Sequence, residues 1–242
     1  GDMAAFSLHG SKNLPGGEGG LFNTNSDEYA MQADMVRTLG WFIMENEERE
    51  YNAVKVGWMY RYQEMPAAFA RSRLKILDRE NEHRRKNADY LTRRLKQIKG
   101  VIPPHVPPDR THVYYLYRIR LVPEELGVTI PAKQFRLKAQ KALRAEGLQA
   151  NEWHSMPVPM QRLFQERVGY GSGCPWSCPQ GNGSKVVYKA EDYAVTQRVL
   201  DDSIVLGTAI CPPNDFALMD KYVAAFEKLW ENLDEVLDVP LS

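Results

Sequence analysis

The stretch Phe6-Ser7-Leu8-His9-Gly10-Ser11-Lys12-Asn13-Leu14-Pro15-Gly16-Gly17-Glu18-Gly19-Gly20 is the part of this chain from which the fold is read. A short apolar segment delivers Ser7 and then Lys12 into a turn crowded with Gly16, Gly17, Gly19 and Gly20. That is the composition of a backbone bent sharply around something close to it. A lysine in a glycine-rich turn is by itself an ordinary solvated cation on an ordinary hairpin, so spacing alone assigns it no chemistry. The flanking segments, Ala4 to Leu8 and Gly20 to Thr24, read as short strands on either side of the turn.

Taken whole, Gly1-Asp2, Ala5-Phe6-Ser7-Leu8-His9, Lys12-Asn13 and Gly17-Glu18-Gly19-Gly20 stand in register with a longer pattern. The run resembles the Schiff-base segment of the DegT/StrS family of pyridoxal-phosphate-dependent sugar aminotransferases. Further on, Gly57-Trp58-Met59-Tyr60-Arg61, Glu64 and Ala67-Ala68 are similar to the family's Gly-x-Asn-x-Arg-x-x-Glu-x-x-Ala-Ala segment, with Met59 where the family has Asn. The resemblance implies an α/β fold, the C-terminal part of a fold-type I transferase. Its divisions would be a remnant of the large cofactor-binding sheet domain over 1–63, a long connecting helix over 64–99 and a small α/β domain over 100–242.

It also implies roles. Lys12 would be the catalytic lysine that binds pyridoxal 5′-phosphate, and Ser7, five residues earlier, would hydrogen-bond the cofactor phosphate. Arg61 would reach the phosphate site of a partner subunit, which makes the protein a homodimer with shared active sites. An amine reacts with an aldehyde only when deprotonated, which burial beside other cations favours. Once freed, the same amine can carry a proton as base and acid while the cofactor supplies the electron sink. The substrates implied are a nucleotide-linked keto sugar or a keto-cyclitol, with glutamate or glutamine as donor. Trp153-His154-Ser155-Met156-Pro157-Val158-Pro159-Met160-Gln161 resembles the family's substrate loop, Tyr-x-Pro-Leu-His-x-Gln, with Pro159 on the usual His. His154 is the nearby substrate-binding candidate; as a plain loop histidine it needs no such role.

Composition narrows the classes. Lys plus Arg (31) equals Asp plus Glu (31), which leaves no electrostatic footprint for nucleic acid or an anionic membrane. No apolar run approaches the ~18–20 residues of a membrane span. The odd count of 3 cysteines, Cys174, Cys178 and Cys211, argues against a disulfide framework and suits a reducing cytoplasm. Cys174-Pro175-Trp176-Ser177-Cys178 has no second Cys or His pair close by, so it reads as a proline-rich loop with two incidental thiols and no metal is expected.

The chain begins at Gly1, directly before the lysine motif, whereas the family carries that motif well inside the chain. The expectation is therefore a carboxy-terminal portion, a poor catalyst alone. The competing reading is a catalytically incompetent fragment that keeps only its dimerisation and small-domain surfaces.

Elsewhere, Asn25-Ser26-Asp27 supplies cap chemistry for a helix from Asp27 to Leu39 stopped by Gly40. Met44 to Asn52 reads as a solvated loop or short helix. The apolar spacing from Glu64 to about Ile98 predicts one helix, ~50 Å long. His112 to Leu121, alternating and aromatic, is the best strand, and Gly100 with the prolines up to Pro108 marks a boundary before it. Helices are expected over Pro131 to Glu146, Tyr188 to Asp202 and Asn214 to Leu237, with short strands near Leu148 and over Ser203 to Leu206.

Overall fold

The computed structural model describes residues 1–41, 52–171, 174–178 and 186–241. The stretch from Met44 to Asn52 lies, but for Asn52, outside them. The chain divides into two compact units, Gly1–Glu82 and His83–Ser242.

In the first unit, β1 (Met3–Ser7) pairs antiparallel with β2 (Gly20–Thr24), Met3 opposite Thr24 and Ser7 opposite Gly20. The lysine turn is the connection between them. Ser26 caps α1 (Asp27–Arg37), its hydroxyl accepting the Tyr29 N–H at 3.3 Å, with Asp27 and Glu28 in the first turn where the helix dipole favours them. Leu39 and Gly40 then take φ of 60° and 79°, which turns the chain out of the helix. The end of α1 receives a later segment by backbone bonds. Trp58 N–H reaches Val36 O at 2.8 Å, Leu39 N–H reaches Trp58 O at 3.0 Å, and Tyr60 N–H reaches Arg37 O at 2.9 Å.

The single helix expected from Glu64 to Ile98 is two, α2 (Glu64–Leu74) and α3 (Leu77–Leu95). The ladder breaks where the Ile76 N–H tightens onto Arg73 O at 3.1 Å. Arg73 then spans the break, its Nη2 donating to both carboxylate oxygens of Glu80 at 2.7 and 2.6 Å. The division between the units falls inside α3 and at neither end of it. Asn81 bonds Asn13 at 3.1 Å, whereas Asn87, Ala88, Leu91 and Leu95 are buried in the second unit's core.

The second unit is built on a small antiparallel sheet in which β4 (Arg118–Leu121) lies between β3 (Val101–Ile102) and β5 (Ser203–Val205). Ile119 and Leu121 point into the core while Arg118 and Arg120 face the other side, the period of two expected of a strand. The aromatic run before β4 is not strand. The His112 ring nitrogen Nδ1 accepts the Tyr114 N–H at 2.7 Å, and Tyr114 takes φ of 45°, so a local side-chain bond replaces the ladder bond that an extended chain would need. Tyr117 is fully buried, and its hydroxyl and Thr92 Oγ1 are 2.8 Å apart.

Helix α4 (Ala132–Ala145), started by Pro131 and released at Gly147, buries Phe135, Ala139 and Leu143 against the sheet and against α7 (Phe216–Glu231). A short α5 (Arg162–Gln165) precedes α6 (Ala194–Asp202), which leads directly into β5. The helix expected to run to Leu237 breaks at Asn232, whose side-chain amide and N–H both bond Lys228 O, and restarts as α8 (Leu233–Asp238). The strand expected near Leu148 is a single bridge from Asn151 to Val205. No helix among the described residues is long and apolar enough to cross a membrane.

Burial holds the Tyr117 phenol well above its ordinary range, and pushes those of Tyr114 and Tyr222 up as well. A phenol raised in the folded state keeps its proton where the unfolded chain has released it. Its stabilising contribution is therefore complete below a pH of about 10 and is lost as the pH climbs through the folded value. Thermal unfolding followed from pH 8 to 11 should show the melting temperature falling above about 10. Tyr117→Phe should flatten that fall while costing about 1 kcal/mol at neutral pH for the bond lost to Thr92; an unchanged alkaline slope in the variant would refute the assignment.

Candidate functional site

The lysine turn is closed at its base by backbone. Leu8, almost wholly buried, donates its N–H to Gly19 O at 2.9 Å and accepts the Gly16 N–H at 2.6 Å, which folds the connection back on itself. At the tip the Lys12 N–H bonds His9 O at 2.9 Å, and Asn13 ties the far side to Asn81. Lys12 itself is half-buried.

Two glycines in this turn have a steric reason. Gly19 sits at φ of +114°, and a Cβ there would lie 2.5 Å from Cε2 of Tyr62. A Cβ on Gly16 would lie 2.3 Å from the Tyr62 hydroxyl, which instead donates to Gly16 O at 2.8 Å. Tyr62 therefore clamps the turn with its ring on one glycine and its hydroxyl on the other. Sequence reasoning passed over Tyr62, because only the contact distance reveals what the glycines make room for.

A polar chain runs along the same turn. Ser7 Oγ accepts the His9 N–H at 3.2 Å. The His9 ring accepts the Ser11 N–H on Nδ1 at 3.2 Å, with Ser11 Oγ 2.8 Å from the same nitrogen. That places the ring proton on Nε2, which lies 3.5 Å from Glu18. Ser7 ends β1 and Lys12 stands at the tip of the connection that follows.

Arg61 follows the segment that pairs with the end of α1. It is exposed, and its Nε donates to the Met59 sulfur at 3.2 Å. The residue that departs from the expected Asn thus becomes Arg61's own neighbour. Arg61 lines a cavity of about 1140 Å³ bounded by β1, β2, α1 and residues 60–66, together with Glu18, Asp34, Arg37 and Tyr62. Lys12 and Ser7 are not among the described residues that line it.

His154 belongs to the second unit. Its ring meets Trp153 edge-on with centroids 5.9 Å apart, and Trp153 meets Tyr115 in the same way at 5.8 Å. The backbone just before them is fixed. Asn151 and Val205 exchange both amide bonds at 2.8 Å, and Glu152 pairs with the buried Arg136 at 2.9 Å. No group of three or more metal-ligating side chains occurs among the described residues.

Residues 1–178 match the DegT/DnrJ/EryC1/StrS aminotransferase family. Over 179 residues the chain is 29% identical to the spore coat polysaccharide biosynthesis protein SpsC of Bacillus subtilis, covering 70% of this chain and 44% of that protein. It is 31% identical over 179 residues to the GDP-perosamine synthase of Caulobacter vibrioides, covering 72% and 45%. It is 30% identical over 141 residues to the L-glutamine:scyllo-inosose aminotransferase of Streptomyces griseus, covering 56% and 33%. The chain spans less than half the length of these relatives. In fold it superposes on the crystal structure of NtdA from Bacillus subtilis with bound cofactor PMP, with a TM-score of 0.72 at 17% identity over 95% of this chain and 46% of that one. The α/β architecture is that of these aminotransferases.

If Tyr62 shapes the turn, Gly19→Ala should destabilise the protein by more than the ~1 kcal/mol expected for Tyr62→Phe. In a Tyr62→Ala background the same glycine substitution should cost clearly less, as coupled neighbours do. Chemical denaturation of the four proteins measures this; an equal cost of Gly19→Ala in both backgrounds would remove the clamp.

Proposed function

The chain belongs to the DegT/DnrJ/EryC1/StrS aminotransferase family, and on that premise we propose that the protein is a pyridoxal-phosphate-dependent aminotransferase. It moves an amino group from glutamate or glutamine to a nucleotide-linked keto sugar or a keto-cyclitol. The observation that carries this reading is the placement of Lys12, half-buried at the tip of a turn locked at its base by Leu8 and clamped by Tyr62, with the Ser7 hydroxyl at the entry to the same turn. The names of the perosamine and scyllo-inosose relatives support the acceptor class, and the glutamine in the second supports the donor. The cofactor-bound Bacillus structure supports the cofactor.

The side chains suit that cofactor: a primary amine for its aldehyde, a hydroxyl for its phosphate, and in Arg61 a guanidinium for the phosphate of a neighbouring subunit. When bound, the cofactor supplies the electron sink for the carbon that bears the amino group. Ser7 Oγ orients the phosphate by donating a hydrogen bond. Lys12 Nζ takes the proton from the donor's Cα and later returns one to the product, which requires it as a free amine during transfer. His154, presented beside Trp153, is assigned to the acceptor. We assign the cofactor chemistry to residues 1–63, the connection to residues 64–99 and acceptor recognition to residues 100–242, and place the protein in the cytoplasm.

A homodimer with shared sites follows from the same reading. The segment before Arg61 exposes Val56, Trp58, Met59 and Tyr60 together, an apolar surface that a partner subunit would cover.

Adding pyridoxal phosphate to the protein that contains this chain should produce a visible absorbance band, and Lys12→Ala should abolish both the band and at least 10³-fold of the transfer rate, about the scale of a lost acid–base group. A protein that gives no band and no transfer is the non-catalytic interaction protein of the competing reading. In a second experiment, Lys12→Ala and Arg61→Ala subunits, each inactive alone, should recover part of the activity on mixing. Sedimentation as a fully active monomer would end the dimer proposal.

A further inference from the structure

One residue of the lysine turn is bonded both to Ser7 before it and to Lys12 after it. His9 donates its N–H to Ser7 Oγ at 3.2 Å, and its carbonyl accepts the Lys12 N–H at 2.9 Å. Its ring makes a third link. Nδ1 accepts the Ser11 N–H at 3.2 Å, with Ser11 Oγ 2.8 Å from the same nitrogen. On the opposite limb of the turn His9 forms an isolated bridge with Gly17, and Nε2 lies 3.5 Å from Glu18. Its neighbour Leu8 is accounted for by burial, at 1% exposed; the His9 side chain is 52% exposed, so burial does not account for a histidine here.

We infer, resting on the aminotransferase reading above, that His9 is a positioning residue whose ring holds the backbone between the phosphate-binding hydroxyl of Ser7 and the amine-bearing Lys12. Ser11 directly precedes Lys12, so the residue before the lysine is bonded to the ring while the lysine's own amide is bonded to the carbonyl of the same histidine. A side-chain acceptor that takes the N–H two residues on is the device by which Asn and Asp close turns. His9 does this with Nδ1 and keeps Nε2 for the side of Glu18. Its N–H is spent on Ser7 Oγ as acceptor, which leaves the proton of that hydroxyl for an anion. Without the ring, the tip keeps the backbone bond from Lys12 but loses the bond from Ser11. A ligand that needs the hydroxyl and the amine at once then meets both in register less often.

The test compares pyridoxal phosphate with pyridoxal, which carries the same aldehyde and no phosphate, on the protein that contains this chain. Each compound is trapped by borohydride reduction and mapped by mass to the residue that bears it. In the wild type, pyridoxal phosphate should be trapped on Lys12 at far lower concentration than pyridoxal. His9→Ala should narrow that preference by about 5-fold, the worth of one net hydrogen bond. His9→Asn, whose side-chain oxygen can take the Ser11 N–H, should restore it, whereas His9→Gln, whose longer side chain extends toward Glu18, should not. In the cofactor-free protein, the Ser11 amide should exchange its hydrogen faster in His9→Ala and His9→Gln than in the wild type and His9→Asn. An unchanged preference in His9→Ala, or rescue by Gln in place of Asn, would overturn the inference and leave the aminotransferase reading standing. A wild type that bears neither compound on Lys12 would overturn both.

Discussion

The hydrogen bond from the Tyr62 hydroxyl to Gly16 O, 2.8 Å long, is the constraint on which the lysine turn depends. It leaves no room for a side chain at Gly16 or Gly19, and with Leu8 it sets where the connection between β1 and β2 turns back. A catalytic amine is useful only where its approach is fixed within a fraction of an ångström. A turn without such a brace would leave a long, flexible side chain on a flexible backbone. The glycines are therefore less a source of mobility than the space into which an aromatic ring fits.

Several buried polar side chains of the second unit hold its elements together. Asn87 donates to the carbonyls of Ile210 and Asn214, and His83 Nε2 donates to Asn214 O, so α3 holds the proline-containing segment ahead of α7 through side chains rather than a ladder. On the other side, Arg136 spends its donors on Asp201 O, Gln140 and Glu152. Buried charge of this kind is tolerated only when its donors are satisfied, and removing one partner is far more costly than never having had the pair. The result is a fixed base directly before Trp153 and His154.

Much of this was legible in the sequence, and the failures have physical causes. Ser26 as a cap, and Pro131 and Gly147 as the limits of α4, act through local backbone chemistry that travels with the residue, so they could be read directly. The run from His112 to Tyr117 has the composition of a strand, yet a histidine nitrogen captures the Tyr114 amide; composition cannot see a competing acceptor. The joined helix from Glu64 failed similarly, because Arg73 and Glu80 suit a continuous helix and a tight turn equally well until the Ile76 amide chooses. At the site, the motif carrying Ser7, Lys12 and Arg61 was readable as a pattern. The Tyr62 brace and the Met59 sulfur against Arg61 were not, since each is a contact between residues whose types predict nothing special.

The buried Arg136 also bears on how the chain can change over evolutionary time. Its guanidinium serves an acceptor on its own helix, one at the end of α6 and the carboxylate of Glu152; losing Glu152 leaves a buried cation with neutral acceptors alone, whereas losing Arg136 leaves a carboxylate that water can reach. In an alignment of relatives, arginine at position 136 should therefore be accompanied by an acidic residue at 152. The adjoining Trp153 and His154 are then free to diversify on a base that does not.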